Sequence, residues 1–408
     1  PDWEYDTRLL KDHLENGVMY TFSGRSIDNA GNIGIDQGLD SLFFDNVRPI
    51  TTANFDGVFY NEDSWSWEST LSGTGYDSLS GIDSVRISVE RLSDNQFFDG
   101  TSWNAFENWF LANGTDQWTF PVQDLVLEDG VSYRAQTIAY DIAGNEESPP
   151  ASATFSFDTT PPTAGNVYDG SEQSVDLDWS NETSIFAASW NNFSDATSGI
   201  QFYEYRINNQ LGDVVLDWTS SGQDTTILHT DLGIISGNSY YVHVRATDHA
   251  NNVSNIAVSD GLAIDTIPPV VTELGEGSVG NDIDFQYSST ELSVFWTGSD
   301  TREINGYEIG LGTDVETPNV IDWVDVGSTN SFTFEGLNLS SGGVYFAFVR
   351  GYDQAGNVSG FVNSDGITID QDIPQSGTVM DNSEIDIDWT YVDYQVSAYI
   401  SGFQDLLS

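Results

Sequence analysis

One segment occurs four times along the chain, and its spacing decides what kind of fold is available. YTFSGRSIDNAGN (Tyr20 to Asn32), YRAQTIAYDIAGN (Tyr133 to Asn145), YYVHVRATDHANN (Tyr240 to Asn252) and YFAFVRGYDQAGN (Tyr345 to Asn357) each place a Tyr eight residues before an Asp that opens a small, turn-forming tetrapeptide. The Asp falls at 28, 141, 248 and 353, so successive copies lie 113, 107 and 105 residues apart. That period is a whole small domain, well beyond the roughly 20–50 residues of a solenoid turn. Tyr240, Val242, Val244 and Ala246 alternate with other residues, the period of a half-buried strand. The Gly and Asn that follow tolerate positive φ, so each strand reverses into a hairpin. The pattern predicts an all-β tandem array.

Composition narrows the function classes. There is no cysteine, so neither disulfides nor thiol chemistry enter, and aromatic residues, 13% of the chain, fill the cores. Acidic residues number 64 against 11 basic ones, a net charge of −53, with Lys11 the only lysine. A field of that sign repels nucleic acid and anionic membranes and attracts divalent cations. The acids are interleaved with Val, Ile, Tyr and Trp at strand period, which argues for folded domains and against a disordered acidic tail. No apolar run approaches the roughly 20 residues of a membrane span, so this segment is not expected to insert into a membrane.

Turn signals and strand patterns divide the chain into 1–47, 48–158, 159–265, 266–372 and 373–408. The first segment holds the back half of a domain, with Trp3 a candidate core residue and LDSLFFD (Leu39 to Asp45) its last strand. The segment 48–158 is rich in Trp and Ser-Gly turns, with strands expected at Asp83 to Arg91 and Gln117 to Val122. Segments 159–265 and 266–372 run parallel to each other, through a Trp turn (LDWTSSG, IDWVDVG) and the Tyr strand to SDGLAID and SDGITID. The last segment begins a further copy. Both end segments are expected to expose strand edges unless something completes them.

Segments 159–265 and 266–372 carry a recognisable pattern. Trp190 or Trp296 stands on an early strand, Tyr205-Arg206-Ile207 or Tyr307-Glu308-Ile309 on the next, and Leu232, or Leu337 or Leu339, in the bend before the Tyr strand. This resembles a fibronectin type III sandwich. The segment 48–158 resembles a bacterial immunoglobulin-like module, with its LSG, SGI, DGTSW and D-x-AGN motifs. The resemblance implies a tandem array of seven-strand immunoglobulin-like and fibronectin type III β-sandwiches: a C-terminal half domain (1–47), an immunoglobulin-like domain (48–158), two fibronectin type III-like domains (159–265, 266–372) and the N-terminal part of another (373–408). Such modules recur in very large bacterial surface adhesins and filaments, notably of the Bacteroidota type. Sandwiches of this kind host many functions, so the fold alone does not choose one.

No motif for catalysis stands out. His13, His229, His243 and His249 lack metal-ligand spacing, and no nucleophile elbow, zinc-protease helix or phosphate-cradling loop is present. Tyr20, Tyr133, Tyr240 and Tyr345 suit either a tyrosine corner or sugar-stacking platforms. Trp65, Trp67, Trp103, Trp109 and Trp118 suit either a core or an exposed carbohydrate surface. Six sequons (Asn113, Asn181, Asn192, Asn252, Asn338, Asn357) imply surface loops if the source glycosylates them. The alternating pairs Asp176/Asp178, Asp282/Asp284 and Asp386/Asp388 read as a solvated strand face.

The sharpest chemical signal comes from aspartates placed by the sandwich topology. Two loops at the leading pole of each sandwich hold Asp77, Asp195 or Asp300 and Asp141, Asp248 or Asp353; the preceding sandwich ends in Asp45, Asp158 or Asp265, just before a Pro. Head-to-tail stacking would assemble the trios Asp45/Asp77/Asp141, Asp158/Asp195/Asp248 and Asp265/Asp300/Asp353. Three uncompensated carboxylates repel one another, and calcium, which takes six to eight oxygens in flexible geometry, is the natural counter-ion. The local alternative is that each Asp merely bonds its own turn backbone or caps a strand end. Two functions stay open: a rigid extracellular stalk for adhesion or surface attachment, and accessory modules of a secreted polysaccharide-degrading enzyme. The partners expected are the neighbouring repeats of the same chain, with self-association or a surface polysaccharide or host ligand as further possibilities.

Overall fold

Val, Ile, Tyr, Phe and Trp at alternate positions favour pleated, half-buried ribbons, and strands are what these stretches form. The computed structural model describes residues 10, 13–35, 37–68, 70–172, 175–381, 398–405 and 407. Trp3 and the pair Asp386/Asp388, named above, lie outside the described residues. Between 48 and 158, one sheet joins Gln117–Pro121, Thr70–Tyr76 and Ile50–Ala53. The facing sheet runs Val58–Tyr60, Ala151–Phe157, Val131–Asp141, Ile82–Arg91, Gln96–Phe98 and Trp103–Asn104.

The next two repeats use one plan. In the first of them, Asn166–Asp169, Ile185–Asn191 and Thr226–Thr230 face Trp179–Ser180, Leu262–Ile264, Ser239–Asp248, Ile200–Asn209 and Val214–Gly222. In the second, Val270–Ser278, Glu291–Ser299 and Ser331–Glu335 face Phe285–Gln286, Ile367–Ile369, Val344–Asp353, Ile304–Gly312 and Ile321–Gly327. The opening strand of each sandwich is divided: its first part pairs antiparallel in one sheet, and a short second part crosses to pair parallel with the last strand. Two-stranded ribbons, Val18–Gly24 with Gln37–Phe44 and Thr378–Asp381 with Ala398–Ser401, lie on either side of these three sandwiches in the sequence.

Each sandwich has its own core, drawn from both sheets. Trp118 is fully buried with Leu71, Val85, Tyr133 and Phe155 in the first; Trp190 with Phe186, Ile207 and Val242 in the second; Trp296 with Leu292, Ile309 and Val349 in the third. The repeated Tyr is a tyrosine corner. Its hydroxyl accepts a hydrogen bond from the backbone N–H five residues upstream: Glu128 to Tyr133 at 2.7 Å, Ile235 to Tyr240 at 2.9 Å and Ser340 to Tyr345 at 2.9 Å. With Tyr133, Tyr240 and Tyr345 at 0%, 2% and 7% exposure, no stacking face is left for a sugar.

The Trp-rich stretch divides. Trp118 is core, Trp103 and Trp65 are half-buried against it, and Trp67 is 87% exposed, contrary to a purely core reading. The reason is a short helix, Glu62–Trp67, capped by Asn61, whose side chain accepts from Ser64 N–H at 2.8 Å. Trp65 stacks on Phe155 at 5.8 Å; Trp67, two residues on, faces the opposite side of the helix. The stretches LDWTSSG and IDWVDVG, expected to turn, are instead strands, within Val214–Gly222 and as Ile321–Gly327, and their Trp residues stay outside the core. Trp218 and Trp323 lie beneath Arg245 and Arg350 at 4.3 and 4.4 Å, and these arginines pair with Glu204 and Glu308 across the strands.

Trp118→Ala should therefore lower the stability of the 48–158 sandwich by about 3–5 kcal/mol, whereas Trp67→Ala should change it by less than about 0.5 kcal/mol. Denaturant unfolding followed by circular dichroism checks this, and equal losses from the two would contradict the burial described.

Candidate metal centre

All of the trio aspartates but Asp195 stand at the end of a strand, where the backbone leaves its ladder. Asp141, Asp248 and Asp353 close the Tyr strands Val131–Asp141, Ser239–Asp248 and Val344–Asp353. Asp45, Asp158 and Asp265 directly follow Gln37–Phe44, Ala151–Phe157 and Leu262–Ile264. Asp77 and Asp300 directly follow Thr70–Tyr76 and Glu291–Ser299, and Asp195 lies in the loop after Ile185–Asn191. The structure brings all nine together in the expected trios, one carboxylate oxygen from each member lying within 4.8 Å of the others. In each trio the linker Asp and the Tyr-strand Asp are buried, and the third is half-buried.

The turn chemistry explains how the carboxylates are held. Asp248 Oδ1 accepts from Asn252 N–H at 2.8 Å, and its Oδ2 accepts from the Asn252 side-chain amide at 2.9 Å. Asp141 with Asn145 and Asp353 with Asn357 repeat the arrangement. The reversal needs positive φ one residue before that Asn, supplied by Gly144 at 91° and Gly356 at 86°, and by Asn251 at 69° where the third copy has no Gly. The loop Asp uses one oxygen locally: Asp195 Oδ1 accepts from the N–H groups of Thr197, Ser198 and Gly199, and Asp77 Oδ1 from those of Leu79 and Gly81. In Asp77 and Asp195 local turn bonding leaves the second oxygen to the joint, whereas in Asp141, Asp248 and Asp353 both oxygens also take turn bonds.

The remaining oxygens are what make these places unusual. Oδ2 of Asp77, Asp158 and Asp265 and both oxygens of Asp300 are buried without a hydrogen-bond partner. Among the described residues, none of the nine forms an ion pair with Lys or Arg. Burial, with the repulsion of Asp195 and Asp248, pushes the Asp158 carboxyl above its usual range despite bonds from Ser198 and Thr160. Asp77 is the reverse case: burial raises it, but the backbone N–H groups of Gly81, Leu79, Ser80 and Ser78 outweigh that and hold it below. An all-oxygen donor set with three negative charges and no internal cation fits a hard divalent ion, and calcium better than magnesium, which demands near-ideal octahedral geometry.

The repeated Asn is the residue that spacing alone did not reveal as part of the joint. Its side-chain amide also donates across the joint to the linker carbonyl: Asn145 to Asp45 O at 3.1 Å, Asn252 to Asp158 O at 2.9 Å and Asn357 to Asp265 O at 2.8 Å. Its occurrence four residues after the Asp in all four copies was the available signal. The sequons at Asn252 and Asn357 therefore use amide nitrogens already committed inside a joint, so they do not mark free surface loops. Further contacts span the joints: Phe59 lies 6.2 Å from His249, Arg302 donates to Gly237 O at 2.8 Å, and its guanidinium lies 5.6 Å from the Trp179 ring. Asp176 and Asp282 are exposed, in keeping with a solvated face, and each also belongs to a further acidic group inside a single sandwich.

No family model matches the chain. It is 30% identical over 264 residues to exoglucanase B of Cellulomonas fimi, a match covering 63% of this chain and 22% of that enzyme's length. Three consecutive titin domains align over 80% of this chain and the whole of theirs at 13% identity, with a TM-score of 0.37. A segment of a 1.5-MDa bacterial ice-binding adhesin aligns over 80% of this chain and 100% of its own at 16% identity, with a TM-score of 0.36. The paired sheets and the tyrosine corners make this chain a tandem array of immunoglobulin-like and fibronectin type III sandwiches.

Asn252→Ala would leave Asp248 and the Asp158 carbonyl short of donors and should cost about 1–3 kcal/mol, read as a lowered thermal transition of the adjoining sandwich. An unchanged transition would show that the amide is no brace.

Proposed function

We propose that this chain is a run of spacer domains in a large extracellular protein, a stalk for adhesion or surface attachment, in which one calcium ion clamps each joint. The observation that carries this reading is the recurrence, at three successive joints, of an aspartate trio with two buried members, one half-buried member and no basic partner among the described residues. Each trio draws two ligands from the downstream sandwich and one from the element before it, a two-stranded ribbon for Asp45 and a sandwich for Asp158 and Asp265, so a bound ion crosslinks successive units. Without it, three carboxylates face one another and their repulsion opens the hinge. The net charge of −53 keeps a long surface chain soluble and turns it away from nucleic acid and anionic membranes.

A second reading has its own support. The match to exoglucanase B favours non-catalytic accessory modules of a secreted polysaccharide-degrading enzyme. A cation-clamped spacer serves either, holding a binding tip away from a cell or a catalytic domain away from its anchor. The encoded sequence on either side separates them: further repeats mark a stalk, a catalytic domain marks the enzyme.

With calcium, the three sandwiches should form a rod on the order of 110 Å, from strand rise. Chelation should broaden the small-angle scattering distance distribution and lower the melting temperature, because a ligand bound only by the folded state stabilises it by mass action. Asp248→Asn should weaken calcium binding at the middle joint alone. Superimposable scattering and calorimetry with and without chelator would refute the clamp.

A further inference from the structure

Two acidic groups lie away from the joints, at the open side of the two later sandwiches. They are Asp169/Asp176/Asp260 and Glu276/Asp282/Asp365, in each of which one carboxylate oxygen per residue lies within 4.8 Å of the others. The positions are equivalent. Asp169 ends the first half of the divided opening strand, and Glu276 lies in the same part of Val270–Ser278. Asp176 and Asp282 come from the crossing segment and accept from the backbone N–H of Asp169 at 2.7 Å and of Glu276 at 2.8 Å. Asp260 and Asp365 belong to the Ser-Asp-Gly that interrupts the last strand, between Ala257–Val258 and Leu262–Ile264 and between Val362–Asn363 and Ile367–Ile369.

Clusters of acids on a chain this acidic carry little weight by themselves. Here, however, Asp169 and Glu276 are both 0% exposed, and Asp169 Oδ1 and Glu276 Oε2 have no hydrogen-bond partner. Their other oxygens are satisfied: Asp169 Oδ2 accepts from Gly261 N–H at 3.0 Å, and Glu276 Oε1 accepts from the Ser364 hydroxyl. Each buried carboxylate is thus fixed by one oxygen while the other faces two more acids. The 48–158 sandwich provides the contrast. Its buried Glu147 has both oxygens occupied, by Thr51 N–H and by the Thr51 hydroxyl and Ala139 N–H, and its last strand Ala151–Phe157 runs unbroken. In the two later sandwiches Ser254 and Ser359 take the place of Glu147, accepting from the N–H groups of Ala246 and Gly351, while Ser259 and Ser364 accept from those of Val242 and Ala347 beside the broken last strand. A buried charge costs free energy unless it is paired; burial first, then repulsion by the two neighbouring acids, pushes Asp169 up to about 7, with Glu276 likewise at about 7.

We propose that Asp169/Asp176/Asp260 and Glu276/Asp282/Asp365 each bind a divalent cation of the calcium class inside one sandwich, stapling the opening strand of one sheet to the broken last strand of the other. These sites are separate from the joints in position and in access. Two of their three ligands are exposed, so they exchange with solvent more readily and bind more weakly than the joint sites.

Calcium titration of the whole chain by calorimetry at neutral pH tests this. The five acidic groups predict five ions per chain, three in a tighter class and two in a weaker one. The double variant D169N/E276Q should lose the weaker class entirely. Because those residues are buried, D260N/D365N, which alters exposed side chains only, is the safer form; it should weaken the same two sites at least tenfold and leave the tighter class untouched. D158N should instead remove one tighter ion and spare the weaker class, so failure at the joints and failure here give different isotherms. A D260N/D365N isotherm identical to the parent, whatever the occupancy of the joints, overturns the proposal in favour of a carboxylate neutralised by a proton.

Discussion

Repulsion among carboxylates that the fold forces together is the constraint on which the joints depend. Each linker Asp reaches its position because the last strand of a sandwich ends there, and each partner because a strand or loop of the next sandwich ends there. Hydrogen bonds from turn N–H groups fix one oxygen of several of these groups and so aim the others inward. The charges cannot relax apart without undoing a turn or a strand end. On the proposed reading a cation turns that repulsion into attachment, and the stiffness of the array then answers to solution chemistry as well as to packing.

The cores carry the stability of single sandwiches. A fully buried Trp sits centrally in each, and the Tyr corner ties the bend before the Tyr strand to that strand. Neither depends on a neighbouring sandwich, so each body has the means to fold alone while its orientation is set at the joint. The scarce arginines add local order on the outer faces, where Arg245 and Arg350 lie between a Glu and a Trp.

How much of this was legible in the sequence depended on repetition. The Tyr strand, Trp190 and Trp296, and the Tyr-strand aspartates recur at closely similar offsets, and sandwich topology supplies the places of the linker and loop aspartates. Asn145, Asn252 and Asn357 recur just as regularly, but their second role, reaching a carbonyl of the previous sandwich, depends on a distance across a joint that no spacing encodes. Asp169 and Glu276 were harder still, because one position holds two residue types and their importance comes from burial. The division of the opening strand hid there too: a short parallel pairing two residues long leaves almost no periodic trace. Trp67 looked like its core neighbours because helical periodicity over six residues is too brief to separate from strand alternation.

The joint is also asymmetric. Every repeat offers one acid at its tail and two at its head, so a copy of any repeat is complementary to the original, as in any head-to-tail interface that does not close on itself. Duplicating a whole repeat therefore creates a working junction at once, with no second change needed to fit the new neighbour. Length can be gained or lost in units of about one hundred residues while the geometry of every contact stays the same, and the reach of the molecule becomes a trait that recombination between repeats can tune.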